Sequence, residues 1–204
     1  YKACGVNYKT IPSYGELLDG KASVKTIRDV AYRDLRGREL SHLEEERIGA
    51  CISRRSVLIT GAGGSIGAEL CRQVCRFDPT KIILFERAES PLYDIELELR
   101  HNFPHIEVIP VLGDILDNDL LTKTFAHYRP ATIFHAAAYK HVPMLERQPW
   151  HAVANNICGT RNVVEAAKSH QVERFVFVST DKAVRPANIM GSSKRIAEMI
   201  VQCQ

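Results

Sequence analysis

The strongest constraint on this chain is an alternation that begins at Ser56 and runs to its end. Short runs rich in β-branched residues fall at Ser56–Thr60, Lys81–Phe85, Glu107–Val111, Thr132–His135 and Arg174–Ser179. Between them lie stretches of helical pattern at Ser65–Arg76, Ser90–His101, Asn118–Tyr128 and Ala152–Ser169, and a last helix starts near Met190. Strands alternating with helices of this length imply a parallel sheet with helices on both faces. Right-handed crossovers then lead to an α/β, doubly wound, Rossmann-like fold.

Residues 1–54 lack this alternation. Ile11–Gly20 carries turn signals and a short helical segment, Ile27–Val30 suits a short strand, and Leu43–Ser53 suits a helix leading into the first sheet strand. The reading is the tail of a preceding domain plus a linker, with the α/β domain over residues 55–204. A total of 204 residues is enough for one full domain and part of another. The net charge of +3 is mild and the basic residues are scattered, which argues against a nucleic-acid partner. The six cysteines form no CxxC pair. Cys71 and Cys75 lie one helical turn apart with no nearby histidine, so reduced thiols of a cytosolic protein are expected, and no metal site. No apolar run approaches the roughly 18 residues of a membrane span, and no signal peptide is expected.

Val57-Leu-Ile-Thr60 runs directly into Gly61-Ala-Gly-Gly-Ser-Ile-Gly67 and then into a helical stretch. Gly61 permits a tight turn, Gly64 lets the backbone approach a pyrophosphate, and Gly67 permits close helix–strand packing. The backbone of Ser65, Ile66 and Gly67 opens the helix, whose free N–H groups and partial positive charge suit phosphate. The spacing is GxxGxxG, and a glycine-rich loop alone is weak; its place between strand and helix makes it a nucleotide cradle. Glu86 ends the second strand, where an acid grips ribose hydroxyls. A carboxylate there favours NAD, because it repels a 2′-phosphate. Arg87 next to it can accept that phosphate, so NADP stays open. Asp114 and Ile115, after the third strand, are placed for the adenine ring; Asp114 can equally be a helix N-cap.

The second chemical feature is Ser179-Thr-Asp-Lys-Ala183, followed by Met190-Gly-Ser-Ser-Lys194. Asp181 and Lys182 put an acid beside an amine at the end of the fifth strand, where ligands sit in open α/β sheets. Lys194 follows on a helix. Thr180 offers a hydroxyl to orient substrate or cofactor.

With Thr60–Gly67, Asp114, His135-Ala-Ala-Ala138 and Asn156-x-x-Gly159-Thr160 in this order, the chain resembles the extended short-chain dehydrogenase/reductases. His135-Ala-Ala-Ala-Tyr-Lys-His-Val-Pro143 and Ser179–Ala183 look like the bacterial nucleotide-sugar 4,6-dehydratases of polysaccharide biosynthesis. The likeness is greatest to their large, membrane-anchored branch acting on UDP-N-acetylglucosamine, in which Met replaces the usual tyrosine of YxxxK, as Met190 does here. The resemblance implies transmembrane helices before Tyr1 and a sugar-binding region after Gln204, both outside this chain. It also implies attachment to the cytoplasmic side of the bacterial inner membrane, and a homo-oligomer. On that reading this piece binds NAD and turns over little by itself.

In that family NAD takes hydride from C4 of the hexose, which acidifies C5–H, and hydride returns to C6 as water leaves. The resemblance makes Lys182 the C5 base and Asp181 the acid at the C6 hydroxyl. Lys182 then needs burial or a cationic neighbour to become neutral, and Lys194 can supply that field while bonding the nicotinamide ribose. A thioether at Met190 cannot accept the C4 hydroxyl proton; Asp181, or Thr180 through water, must do so. Ala136, Ala137 and Ala138 are expected against the cofactor, and Tyr139 and Lys140 against the substrate. Tyr139 is a candidate proton relay or a packing residue, and His135 a buried strand-end residue. Two alternatives are a nucleotide-sugar epimerase or reductase, against which Met190 counts, and a non-catalytic nucleotide-binding module.

Overall fold

A strand covered on both faces has to be apolar throughout. Val57-Leu-Ile59 meets that demand, and in the computed structural model the strand that holds it, Ser56–Thr60, is central and buried at every position. The structure describes residues 44–203 together with the backbone of Lys9–Thr10 and Arg28–Asp29. The chain divides into two units, Tyr1–Leu43 and Glu44–Gln204. In the first, β1 (Lys9–Thr10) pairs antiparallel with β2 (Arg28–Asp29), Lys9 opposite Asp29. β2 falls within the expected strand at 27–30; the turn-rich stretch at 11–20 lies outside the described residues.

The second unit holds five parallel strands: β3 (Ser56–Thr60), β4 (Lys81–Glu86), β5 (Glu107–Leu112), β6 (Thr132–His135) and β7 (Arg174–Phe177). Their order across the sheet is β5–β4–β3–β6–β7. The chain therefore winds outward from β3 through β4 to β5, crosses back, and winds the other way through β6 to β7. The reversal between β3 and β6 opens a crevice at the strands' C-terminal ends.

The helices are α1 (Glu45–Ile52), α2 (Ser65–Cys75), α3 (Glu89–Asn102), α4 (Asn118–Tyr128), α5 (Val142–Arg147), the single turn α6 (Pro149–His151), α7 (Thr160–Ser169) and α8 (Ile189–Gln202). Side chains alternate across the sheet, so successive residues of β3 serve different cores. Val57 and Ile59 join Cys71, Val74, Ile82, Leu84, Ile95 and Leu99 on one face. Leu58 joins Ile83, Phe85, Leu121, Phe125, Ile133 and Val163 on the other. Each fully buried Leu, Ile or Phe contributes about 1.5–3 kcal/mol. Cys71 and Cys75 belong to the first core; burial pushes both thiols up, Cys75 to about 12, so they act as small apolar groups. α1 is bound to the sheet unit: Ile52 is buried, and the Thr132 hydroxyl donates to the Cys51 carbonyl at 2.9 Å.

Two elements depart furthest from their sequence pattern. The expected helix Ala152–Ser169 is π-helical over Ala152–Gly159 before becoming α7. The wider winding turns two successive residues, Asn155 and Asn156, into the interior. β7 stops at Phe177 instead of Ser179, and the Val178 carbonyl is taken by the Lys194 amine at 2.6 Å.

Candidate active site

β3 leads into a turn whose first residue, Gly61, has φ of 67°. A side chain there is excluded twice: by that left-handed backbone, and because a Cβ would stand 2.8 Å from the backbone N and Cα of Ala137. A Cβ on Gly67 would stand 1.9 Å from the Gly61 carbonyl oxygen. Gly67 thus presses α2 onto the turn itself. The Gly64 amide is used within the turn, donating to Gly61 O at 3.0 Å. The amides of Ser65, Ile66 and Gly67 open the helix and have no carbonyl one turn earlier to pair with.

Beside this turn lies a groove of about 310 Å³. Gly61, Gly63, Gly64, Phe85, Glu86, Arg87, Ala88, Pro91, Gly113, Asp114, Ile115, Ala136, Ala137, Ala138, Tyr139 and Asn155 line it. Of the residues expected to hold cofactor, Ser65, Ile66, Gly67 and Lys194 are not in that lining. Lys140 lines a second cavity of about 170 Å³ with Tyr139, His141, Met144, Leu145, Gln148 and His151. Tyr139 borders both. Gly63, Phe85, Ala88, Pro91 and Asn155 were not expected at the site from the sequence. Gly63 carried a signal, as the loop glycine outside the GxxGxxG spacing; the other four are assembled only by the fold.

Glu86 sits at the groove but its carboxylate is already engaged. Oε2 accepts the Gly63 amide at 3.1 Å, and Oε1 accepts those of Arg87 and Ala88 at 2.9 and 3.0 Å. These bonds hold the cradle to the end of β4. The Arg87 guanidinium lies 4.5 Å above the Tyr139 ring and 3.7 Å from the Asp114 carboxylate. Asp114 is not the cap of α4: Asp117 is, accepting the Leu120 amide at 2.9 Å. Asp114 instead closes its own turn through the Leu116 amide at 3.0 Å.

Asn156 joins three elements. Its Oδ1 accepts the Tyr139 amide at 2.8 Å, and its Nδ2 donates to the Tyr139 carbonyl and to Ser193 Oγ, each at 3.0 Å. The loop after β6 is therefore held as if paired to a strand.

The acid–amine pair lies on a 3₁₀ turn, Asp181–Ala183, beyond β7. The Thr180 hydroxyl donates to Asp181 Oδ1 at 3.0 Å, and Lys182 Nζ donates to the same oxygen at 3.4 Å. These bonds, Thr180 first, hold the Asp181 carboxyl below the usual carboxylate range. The side chains of Lys182 and Asp181 are 49% and 86% exposed. Lys182 thus has neither the burial nor the cationic partner anticipated for it; its partner is an acid. Burial acts on Lys194 instead. Desolvation pushes that amine down to about 8, opposed by the Glu198 charge. Lys194 Nζ sits 3.9 Å above the Phe177 ring.

Met190 is buried with Leu145 and Ala152, and Tyr139, Val142 and Ile189 pack around it. It brings no proton chemistry to the site. The 3₁₀ turn is seated on α8 by contact with Gly191, where a Cβ would stand 2.4 Å from the Lys182 carbonyl oxygen. Among the described residues, no group of His, Cys, Asp and Glu is arranged to hold a metal ion, and no helix is long and apolar enough to cross a membrane.

Strand order, crevice, glycine turn and helix N-terminus together define a Rossmann-like domain, and the groove beside the glycine turn, at the reversal between β3 and β6, suits a dinucleotide. The chain belongs to a family described as polysaccharide biosynthesis protein, whose model matches residues 57–204. It is 43% identical over 199 residues to the capsular polysaccharide biosynthesis protein CapD of Staphylococcus aureus, covering 97% of this chain and 33% of that protein. It is 32% identical over 149 residues to a UDP-N-acetylglucosamine 4,6-dehydratase (inverting) of Campylobacter jejuni, covering 72% and 43%. A UDP-glucose 4-epimerase from Stenotrophomonas maltophila, solved with NAD and formylated UDP-arabinopyranose, shares the fold with a TM-score of 0.66 at 18% identity, covering 73% of this chain and 48% of that one. The chain thus spans about a third to a half of the proteins it matches.

Proposed function

We propose that this chain supplies the cofactor domain, over residues 55–204, of an NAD-dependent nucleotide-sugar 4,6-dehydratase that converts UDP-N-acetylglucosamine to a 4-keto-6-deoxy sugar for bacterial surface polysaccharide. The observation that carries this reading is the division of labour at the end of β7. Met190 is buried and proton-inert, whereas Asp181 and Lys182 stand exposed beside each other, open to a sugar. Simple oxidation and reduction at C4 needs one proton acceptor; elimination of water needs an acid and a base on one side of the ring.

Asp181 is ionised in the free protein, so it begins as an acceptor. It takes the C4 hydroxyl proton in place of the missing tyrosine, and so becomes the acid that protonates the departing C6 hydroxyl. Lys182, half exposed in the free protein, becomes the C5 base once a bound sugar covers it and Asp181 has taken up the C4 hydroxyl proton, and it then gives a proton back to C5. NAD, held by the residues that line the groove, would supply hydride chemistry between C4 and C6. Glu86 would accept from the adenosine ribose while its amide bonds hold the cradle to the end of β4. The amides at the start of α2 would serve the pyrophosphate, and Ala136–Ala138 would form a wall of the site. Lys194, tied to Val178, steadies the end of β7 and would reach the nicotinamide ribose only by leaving that carbonyl.

The test is to incubate the full-length protein with NAD and UDP-N-acetylglucosamine and record mass spectra of the sugar nucleotide. Loss of one water is expected. An isomer of unchanged mass sinks the dehydratase in favour of an epimerase, and NAD binding without any product change favours a module or another sugar.

A further inference from the structure

His135 ends β6 and is completely buried. Each of its ring nitrogens meets one threonine hydroxyl: Nδ1 lies 2.6 Å from Thr60 Oγ1, and Nε2 lies 3.0 Å from Thr160 Oγ1. The hydrogen positions follow from counting. Thr160 Oγ1 is 2.6 Å from the Asn156 carbonyl oxygen, which can only accept. A hydroxyl has one hydrogen, so Thr160 donates it there and must accept from His135. The ring hydrogen is therefore on Nε2. Burial, and then the nearby Lys194 charge, push the imidazole down to about 3, so it is neutral and Nδ1 is bare. Nδ1 accepts the Thr60 hydroxyl, and Thr60 Oγ1 in turn accepts the Ala137 amide at 3.3 Å. Reversing the chain leaves the Thr160–Asn156 contact without a hydrogen, among residues that are all buried.

We infer that His135 is a positioning residue of the groove. As a neutral Nε2–H imidazole, it fixes the Thr60 hydroxyl, which holds the Ala137 amide and with it the Ala136–Ala138 wall against the glycine turn. The tolerance there is small, since Gly61 already approaches Ala137 too closely for any side chain. The ring also stacks on Phe177 at 5.7 Å, the ring that carries Lys194, so one imidazole ties the cofactor wall to the end of β7. The inference rests on the reading of the groove as a dinucleotide site.

Two measurements test it. In ¹⁵N-histidine-labelled protein at neutral pH, long-range ¹H–¹⁵N spectra are expected to show His135 as the Nε2–H neutral tautomer. An Nδ1–H tautomer or an imidazolium overturns the inference. In the second, NAD is titrated into wild type, His135→Gln and Thr60→Val. His135→Gln keeps a donor toward Thr160 and loses the acceptor for Thr60; Thr60→Val removes the link to Ala137 at nearly constant volume. Folded variants are expected to bind NAD about tenfold or more weakly, with a displaced Ala137 amide signal. Lower melting temperatures with NAD affinity within about twofold of wild type would mark a purely structural histidine and overturn the inference. Where His135→Gln does not fold, Thr60→Val carries the binding arm. Wild type that fails to bind NAD removes the cofactor reading, whereas the tautomer and the Ala137 signal in Thr60→Val still decide the positioning role.

Discussion

Gly191→Ala adds one methyl group and displaces the 3₁₀ turn that carries Asp181 and Lys182. The new Cβ would stand 2.4 Å from the Lys182 carbonyl oxygen and 3.1 Å from its carbon. Reaching even 3.0 Å requires about 0.6 Å of movement, and an ordinary contact requires about 1 Å. Neither side is soft. Gly191 is anchored by its amide to the capping Asn188 side chain at 2.8 Å, and the 3₁₀ turn is closed by the Ala183 and Val184 amides, each at 3.1 Å. Alanine is preferred to glycine in a helix by up to about 1 kcal/mol. Overpacking against backbone costs about 1–3 kcal/mol. The expected net loss is about 1–2 kcal/mol, read as a fall in melting temperature of about 2–8 °C. The amide signals of Asp181 to Val184 move in ¹H–¹⁵N spectra while those of the glycine cradle stay. A shift of this size at an acid–base pair costs on the order of 10²-fold in turnover of the full-length enzyme. A variant as stable as wild type or more so, with unmoved signals over 181–184, refutes the reasoning without reference to the reaction.

Gly61→Ala is expected to cost about 3 kcal/mol or more in urea unfolding, since it combines left-handed strain with a backbone clash at Ala137; a loss under about 1 kcal/mol contradicts the geometry. Lys194 gives a pH signature. Its folded value of about 8 lies below the ordinary 10.5, so between those values the native state sheds a proton that the unfolded chain keeps, and stability rises with pH by up to about 3 kcal/mol. Lys194→Met is expected to lack that rise in melts across the window; equal slopes would show that the amine is not desolvated. Asp181→Asn is expected to leave NAD affinity and melting temperature unchanged, because the side chain is exposed and outside the groove lining, while turnover falls by about 10²–10³-fold; turnover within about threefold of wild type removes Asp181 from the mechanism.

The strands were legible almost to the residue. Ser56–Thr60 and Thr132–His135 match, and β4 and β5 run one residue further than their β-branched pattern. The glycine turn was legible for the same reason: backbone conformation and helix initiation are local. The burial of His135 also followed from its place at the end of a strand. The π-helical stretch was not legible, because Asn156 is drawn inward by Tyr139 and Ser193, partners distant in the chain, and Asn155 bonds to Asn156 in turn. Nor was the engagement of Glu86 by three amides, two of which depend on how its own strand ends.

The amino-acid sequence by itself determined the alternation of strand and helix, the place of the cradle, and the presence of an acid, two amines and a methionine near the end of β7. Periodicity, glycine spacing and side-chain chemistry belong to the chain whatever surrounds it. Only the tertiary structure decided which amine is buried. Lys182 and Lys194 have the same chemistry, yet one stands half exposed beside a carboxylate and the other lies under Phe177 with its charge penalised. Desolvation is a property of the surroundings, and those surroundings come from residues that meet only when the sheet has formed.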